Sequence, residues 1–173
     1  MMIAAQGVGI LAVITFLFSY QLKKRKHIIL VNGLSSVLYV LQYMMLGAFG
    51  GAALDILSTI ATFTAQHKEK KWIAKHLKTV IIALNLSMIV AGLTLYQNIF
   101  SLCPILGAIF QTGAFWISEE RKIRLVSFLG APFWFIYNIT SCAYGSAIGS
   151  VLCMISIGTA ICRYDILPKY KNP

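Results

Sequence analysis

The chain has 173 residues, of which 58% fall in the hydrophobic class and only 12% are charged; an ordinary soluble domain carries about 25% charged residues. The net charge of +10 would point to nucleic acid in a soluble chain, but the basic residues here flank apolar runs, as in loops that face a cytoplasm. The composition excludes a soluble fold, and the length leaves no room for a soluble domain beside a membrane bundle.

Seven apolar stretches of 17 to 20 residues follow in order: Ile3 to Leu22, Ile28 to Leu46, Phe49 to Gln66, Thr79 to Gln97, Ile99 to Ile117, Leu125 to Ser141 and Gly145 to Cys162. Each is near the ~20 residues with which a helix crosses a bilayer core, so the spacing predicts an all-α membrane protein with seven transmembrane helices. The first run is followed by the basic cluster Lys23 to Lys26 instead of being preceded by it, the wrong order for a secretory signal. In the second, Asn32, Ser35, Ser36, Tyr39, Gln42 and Tyr43 share one helical face. The third carries a stripe of Gly51, Asp55, Ser58, Thr59 and Thr62. Only Tyr96-Gln97-Asn98 separates the fourth from the fifth. The sixth shows Ser127, Trp134, Tyr137 and Asn138 on one face, and the seventh shows Ser146, Ser150 and Cys153.

Charge placement supports that count. With alternating spans, all 15 Lys and Arg residues fall on one side, in Lys23 to Lys26, Lys68 to Lys78, Ser118 to Arg124 and the tail from Arg163. The positive-inside rule makes that side cytoplasmic, with the N-terminus outside and the C-terminus inside. Shifting the sequence on itself by 95 positions aligns Leu11 to Ala65 with Leu106 to Ala160, 55 positions without a gap and 13 identities. The turns GAFGGA and CAYGSA fall into the same register. The expected organisation is a three-helix repeat over 1–67, a connector and linker helix over 68–98, and a second, parallel three-helix repeat with a short tail over 99–173.

Asp55 is the residue that could carry chemistry. Every other charged side chain lies between apolar runs, whereas Asp55 lies inside one. An ionised carboxylate there costs at least ~2.5–3.5 kcal/mol, so it holds its own proton or faces water or a cationic ligand. The structural alternative is a neutral carboxyl bonded to Ser, Thr or Tyr neighbours. Small and hydroxyl residues on the stripes most often let membrane helices approach closely; Tyr39, Trp134 and Asn138, where faces converge, are also candidates for ligand contact. The four cysteines contain no CxxC pair, and His27, His67 and His76 all sit in basic connectors. No metal, cofactor or enzymatic activity is expected.

From about Ser19 to Lys71, through SYQLKKRKHIILVNGLSSVLYVLQYMMLGAFGGAALDILSTI, the chain resembles the YgjV-type family of bacterial inner-membrane proteins, which implies a multi-pass protein of the bacterial cytoplasmic membrane. In architecture the whole chain is similar to the SWEET and PQ-loop transporter superfamily. That resemblance implies a substrate held between the two units by an aromatic residue, mapping onto Tyr39 and Trp134, and an amide residue, mapping onto Asp55 and Ser150. The Pro-Gln signature is replaced by Tyr20-Gln21 and Phe115-Trp116, and Pro104 and Pro132 remain as hinge candidates.

The sequence therefore predicts a transporter or facilitator of a small polar molecule by alternating access. Tyr39 and Trp134 would wall the ligand, Asp55 would bind a cationic group or carry a proton, and Ser150 and Asn138 would orient it. The alternatives are a membrane scaffold or partner subunit with a closed centre, and a vitamin or nucleoside facilitator resembling the nicotinamide riboside transporters. The expected partners are that small polar molecule and the lipid bilayer, not nucleic acid; the oligomeric state stays open, a homo-oligomer included.

Overall fold

The computed structural model describes residues 2–19, 25–117 and 119–166, and every regular element among them is helical. In hydrocarbon each backbone N–H and C=O must be bonded within its own segment, which the helix alone achieves for a single span. The elements are α1 (Met2–Ser19), α2 (Arg25–Met45), α3 (Phe49–Gln66), α4 (Lys71–Lys75), α5 (Leu77–Thr94), α6 (Cys103–Trp116), α7 (Glu120–Thr140) and α8 (Tyr144–Ala160). A 3-10 turn, Ile99–Leu102, leads into α6, and a π-helical segment, Ile161–Ile166, follows α8. Tyr20-Gln21, Lys23, Lys24, Ser118 and the tail beyond 166 lie outside the described residues.

Four of these are long and apolar enough to cross a membrane: Leu77–Thr94, Ile99–Trp116, Arg121–Thr140 and Tyr144–Arg163; Met2–Phe18 is apolar but shorter. The expected seven therefore do not all stand out by length and hydropathy. In α3 the reason is chemical, since its stripe of Asp55, Ser58, Thr59 and Thr62 lowers its apolar content, while the first side chains of α2 lie outside the described residues.

The short polar step between the fourth and fifth runs is a true break. The Asn98 side chain accepts from Phe100 N at 3.0 Å, and Ser101 Oγ accepts from Asn98 N at 3.3 Å. This capping box starts a new helical segment. Pro104 then stands in the first turn of α6, where its missing N–H would have no helical partner anyway. Pro132 is the proline that lies inside a helix, α7.

Packing runs in a closed ring. α1 lies against α2, α2 against α3, α3 against α6, α6 against α7, α7 against α8, and α8 returns to α1. α5 stands outside, on α3 and α6. Its Ile82, Leu86, Val90 and Leu93 recur every three or four residues and are exposed, as a lipid-facing stripe should be.

The two turns that join α2 to α3 and α7 to α8 have one geometry. Gly47 and Cys142, 95 positions apart, take φ of 72° and 56°. Ala48 N bonds Tyr43 O at 2.8 Å, and Ala143 N bonds Asn138 O at 2.8 Å. A left-handed residue at this position lets the chain reverse while satisfying helix-end carbonyls. Glycine does so freely, and Cys142 does so despite its Cβ.

Candidate functional site

The ring encloses a cavity of about 350 Å³ lined by residues of all six of its helices and by none of α5. Tyr39, Asp55, Trp134, Asn138 and Ser150, singled out from the sequence, all line it. Pro104 and Pro132 do not.

One end is sealed by a polar and aromatic layer. Tyr43 Oη donates to Asn138 Oδ1 at 2.7 Å, Asn138 Nδ2 donates to Ser150 Oγ at 3.1 Å, and Ser150 Oγ donates to the Ser146 carbonyl at 3.1 Å. Ser146 Oγ in turn donates to Gln42 Oε1. On the opposite side Gly51 N donates to Tyr137 Oη at 2.8 Å. These contacts respect the 95-residue shift. Tyr43 and Asn138 are counterparts that bond each other, and the pair Gln42 with Ser146 maps onto Tyr137 with Gly51. The Tyr43 and Trp134 rings stack at 6.4 Å and 23°, and Tyr137 meets Trp134 edge-on at 77°. Farther out, Gln6 of α1 holds the α7–α8 turn by donating to the Cys142 carbonyl at 2.7 Å and accepting from Gly145 N at 3.0 Å.

Small residues seat the aromatic walls. A Cβ on Gly107 would lie 2.7 Å from Trp134 Cδ1, and one on Gly149 would lie 3.0 Å from Tyr39 Oη. The packing reading of the stripes is thus right for these glycines, and it serves the cavity, because each one brings an aromatic ring to the wall.

Polar satisfaction divides the lining in two. Asn138, Ser146 and Ser150 are bonded to one another and to Tyr43 and Gln42. By contrast, Asp55 Oδ2, Ser58 Oγ and Trp134 Nε1 in the lining are buried without a hydrogen-bond partner, as is Gln42 Nε2 behind the seal. A buried polar atom left so costs about 1–3 kcal/mol, a debt native proteins rarely carry away from a functional site. Together the three in the lining offer an acceptor or proton carrier, a hydroxyl and a donor around one space.

The other end is open. Gln66, Gln111, Ile123 and Arg124 there are all partly exposed, whereas Tyr43 and Asn138 at the sealed end are 3% and 2% exposed. Arg124, Gln66 and Gln111 line this mouth, and none was expected from the sequence. The apolar pattern places Arg124 in a connector, but α7 begins at Glu120 and carries it into the wall. Ten residues separate it from Trp134 on the same helix, roughly 15 Å at 1.5 Å per residue.

Tyr43→Phe removes the hydroxyl that reaches Asn138 and leaves Asn138 Oδ1 buried with no donor. A loss of about 1–3 kcal/mol is expected, read as a lowered unfolding temperature of the purified protein in detergent.

Four helices long and apolar enough to cross a membrane place the protein in the class of integral membrane proteins. The family model described as a bacterial inner membrane protein, Imp-YgjV, matches residues 3–166, and the chain belongs to that family. No curated protein and no solved structure matches it. The likeness to SWEET-type facilitators has no support from either comparison.

Proposed function

We propose that the protein is a seven-span transporter of a small polar molecule, with helices α1 to α3 and α6 to α8 as two parallel repeats and α5 as the linker. The observation that carries this reading is the central cavity. It is sealed by a hydrogen-bonded layer at one end, open at the other, and lined by three unpartnered polar groups. A static scaffold gains nothing from such a space, since small side chains would pack it shut. Its volume is at the low end of ligand sites, which run from ~300 to 1,000 Å³.

Among the described residues Lys68, beside Gln66, and Arg124 lie at the open end, so by charge the cavity faces the cytoplasm, with the N-terminus outside. Asp55, Ser58 and Trp134 contact the substrate, Tyr39 and Tyr43 complete the aromatic wall, and Asp55 takes up a cationic group or a proton. Asn138 and Ser150 take a different part from the ligand-orienting one that the sequence suggests. In the inward-facing state they bond each other as part of the outer seal, and they become free for a ligand only when that seal parts. The stacked Tyr43 and Trp134 rings also favour a ligand with a planar ring, as a vitamin or nucleoside facilitator would need.

The test is uptake of a panel of amino acids, sugars, nucleosides and vitamins by proteoliposomes. Ser36 lines the cavity, and Ser36→Trp fills it; uptake is expected to fall to the level of empty vesicles. Leu86→Trp on the lipid-facing stripe is expected to leave uptake unchanged. Equal uptake by the wild type and by empty vesicles for every compound would favour the scaffold.

A further inference from the structure

A second groove lies outside the ring, between the last turns of α3 and the short helix α4. It is lined by Ile60, Phe63 and Thr64 of α3, His67 and Lys70 of the turn, and Ile73 of α4, and has a volume of about 400 Å³. We propose that it is a binding site for one anionic phospholipid, with an acyl chain along α3, the headgroup phosphate on the Lys70 ammonium and a headgroup hydroxyl donating to His67 Nε2.

The polarity of the groove runs in one direction. Ile56, Ile60 and Phe63 are exposed and spaced by four and three residues, so they form one apolar lane on α3. The lane ends at the cationic turn. His67 Nδ1 lies 2.8 Å from the Phe63 carbonyl oxygen, which can only accept, so Nδ1 carries the proton and Nε2 is the ring's other polar atom. The connector from Lys68 to Lys78 holds five lysines against the single acid Glu69. Its Trp72 is 69% exposed with its ring 5.5 Å from that of His76. Exposed Trp and Lys beside an apolar lane are what a membrane interface selects, and a phosphate is the anion present at that depth.

Exposed apolar residues on a membrane helix would by themselves mean only bulk lipid. The cationic cap over a concave lane is what singles out one lipid and one headgroup charge. Phe63 also gives the site a link to the interior. It lines the central cavity as well, and its Cζ would lie 3.2 Å from a Cβ on Gly33 of α2. A lipid in the groove would therefore press on a side chain that forms the cavity mouth.

The experiment is native mass spectrometry of the purified full-length protein exposed to equimolar phosphatidylglycerol and phosphatidylcholine of matched chains. The wild type is expected to retain phosphatidylglycerol at least ~5-fold over phosphatidylcholine. The His67→Gln, Lys70→Gln double variant changes two exposed side chains, so the fold should persist while the preference falls by more than half. Lys122→Gln, in the first turn of α7 and paired with Glu119 at 2.6 Å, should keep the preference. Equal retention of the two lipids, an unchanged preference in the double variant, or the same loss in Lys122→Gln would overturn the proposal. Displacement by soluble glycerol phosphate would overturn its acyl-chain half.

Discussion

Replacing Asp55 by Asn is expected to lower proteoliposome uptake by about ten-fold or more, to abolish its dependence on pH, and to leave the fold intact. The substitution keeps the shape of the side chain and removes only the capacity to titrate. No side-chain bond is lost, because Asp55 Oδ2 has no partner and Thr59 Oγ1 donates to the backbone carbonyl of Asp55, not to the carboxyl. Removing an ionisable group from this position relieves the cost of holding a carboxylate there, so the unfolding temperature should hold or rise. That combination, lower activity with equal or higher stability, separates a working carboxyl from a packing residue. Wild-type uptake with an unaltered pH profile in the variant would take Asp55 out of the mechanism.

The second large effect concerns the seam that closes the ring. Gly145 at the start of α8 lies so close to α1 that an added Cβ would sit 3.0 Å from Ile10 N and 3.1 Å from both Gln6 O and Gly9 C. These are backbone atoms, and no rotamer change moves them. Gly145→Val must push α1 and α8 apart, with a loss of about 3 kcal/mol, at the upper end of over-packing effects. The Gln6 clamp on the same turn would go with it. Gly113→Val serves as the control, since nothing lies within 4 Å of a Cβ there. A similar drop in melting temperature for both variants would show that losing a glycine from a helix, not the α1–α8 contact, is responsible.

Helix positions were largely legible from the sequence, because an apolar run of fixed length has one stable form in a bilayer. Phe49 and Gln66 bound α3 as expected, and the break at Asn98 carries its own capping signal. Placing Asp55 and Trp134 on one space was also within reach, since polar stripes on several helices must converge somewhere. The partner across the ring was not. Periodicity gives the face a residue occupies on its own helix, but which side chain it meets depends on how far each helix is rotated and raised against its neighbour. Tyr43 was therefore read as one member of a stripe and not as the group that seals against Asn138. The same limit explains Ser150, which aligns with Asp55 but is occupied by Asn138, and Arg124, which a short shift in the start of α7 turned from connector into wall.

The seams α1 on α8 and α3 on α6 are the same contact under the 95-residue shift, so each half of the ring offers its partner the surface it receives in return. Two separate copies of one half would close in that way as a symmetric dimer. Every position near the axis would then occur twice, and an acid at 55 would bring a second acid to the same cavity. Joining the halves through α5 removes that constraint. On the proposed repeat reading the joined halves are free to differ at matching positions, as Asp55 and Ser150 do, so a near-symmetric frame holds one acid instead of a facing pair.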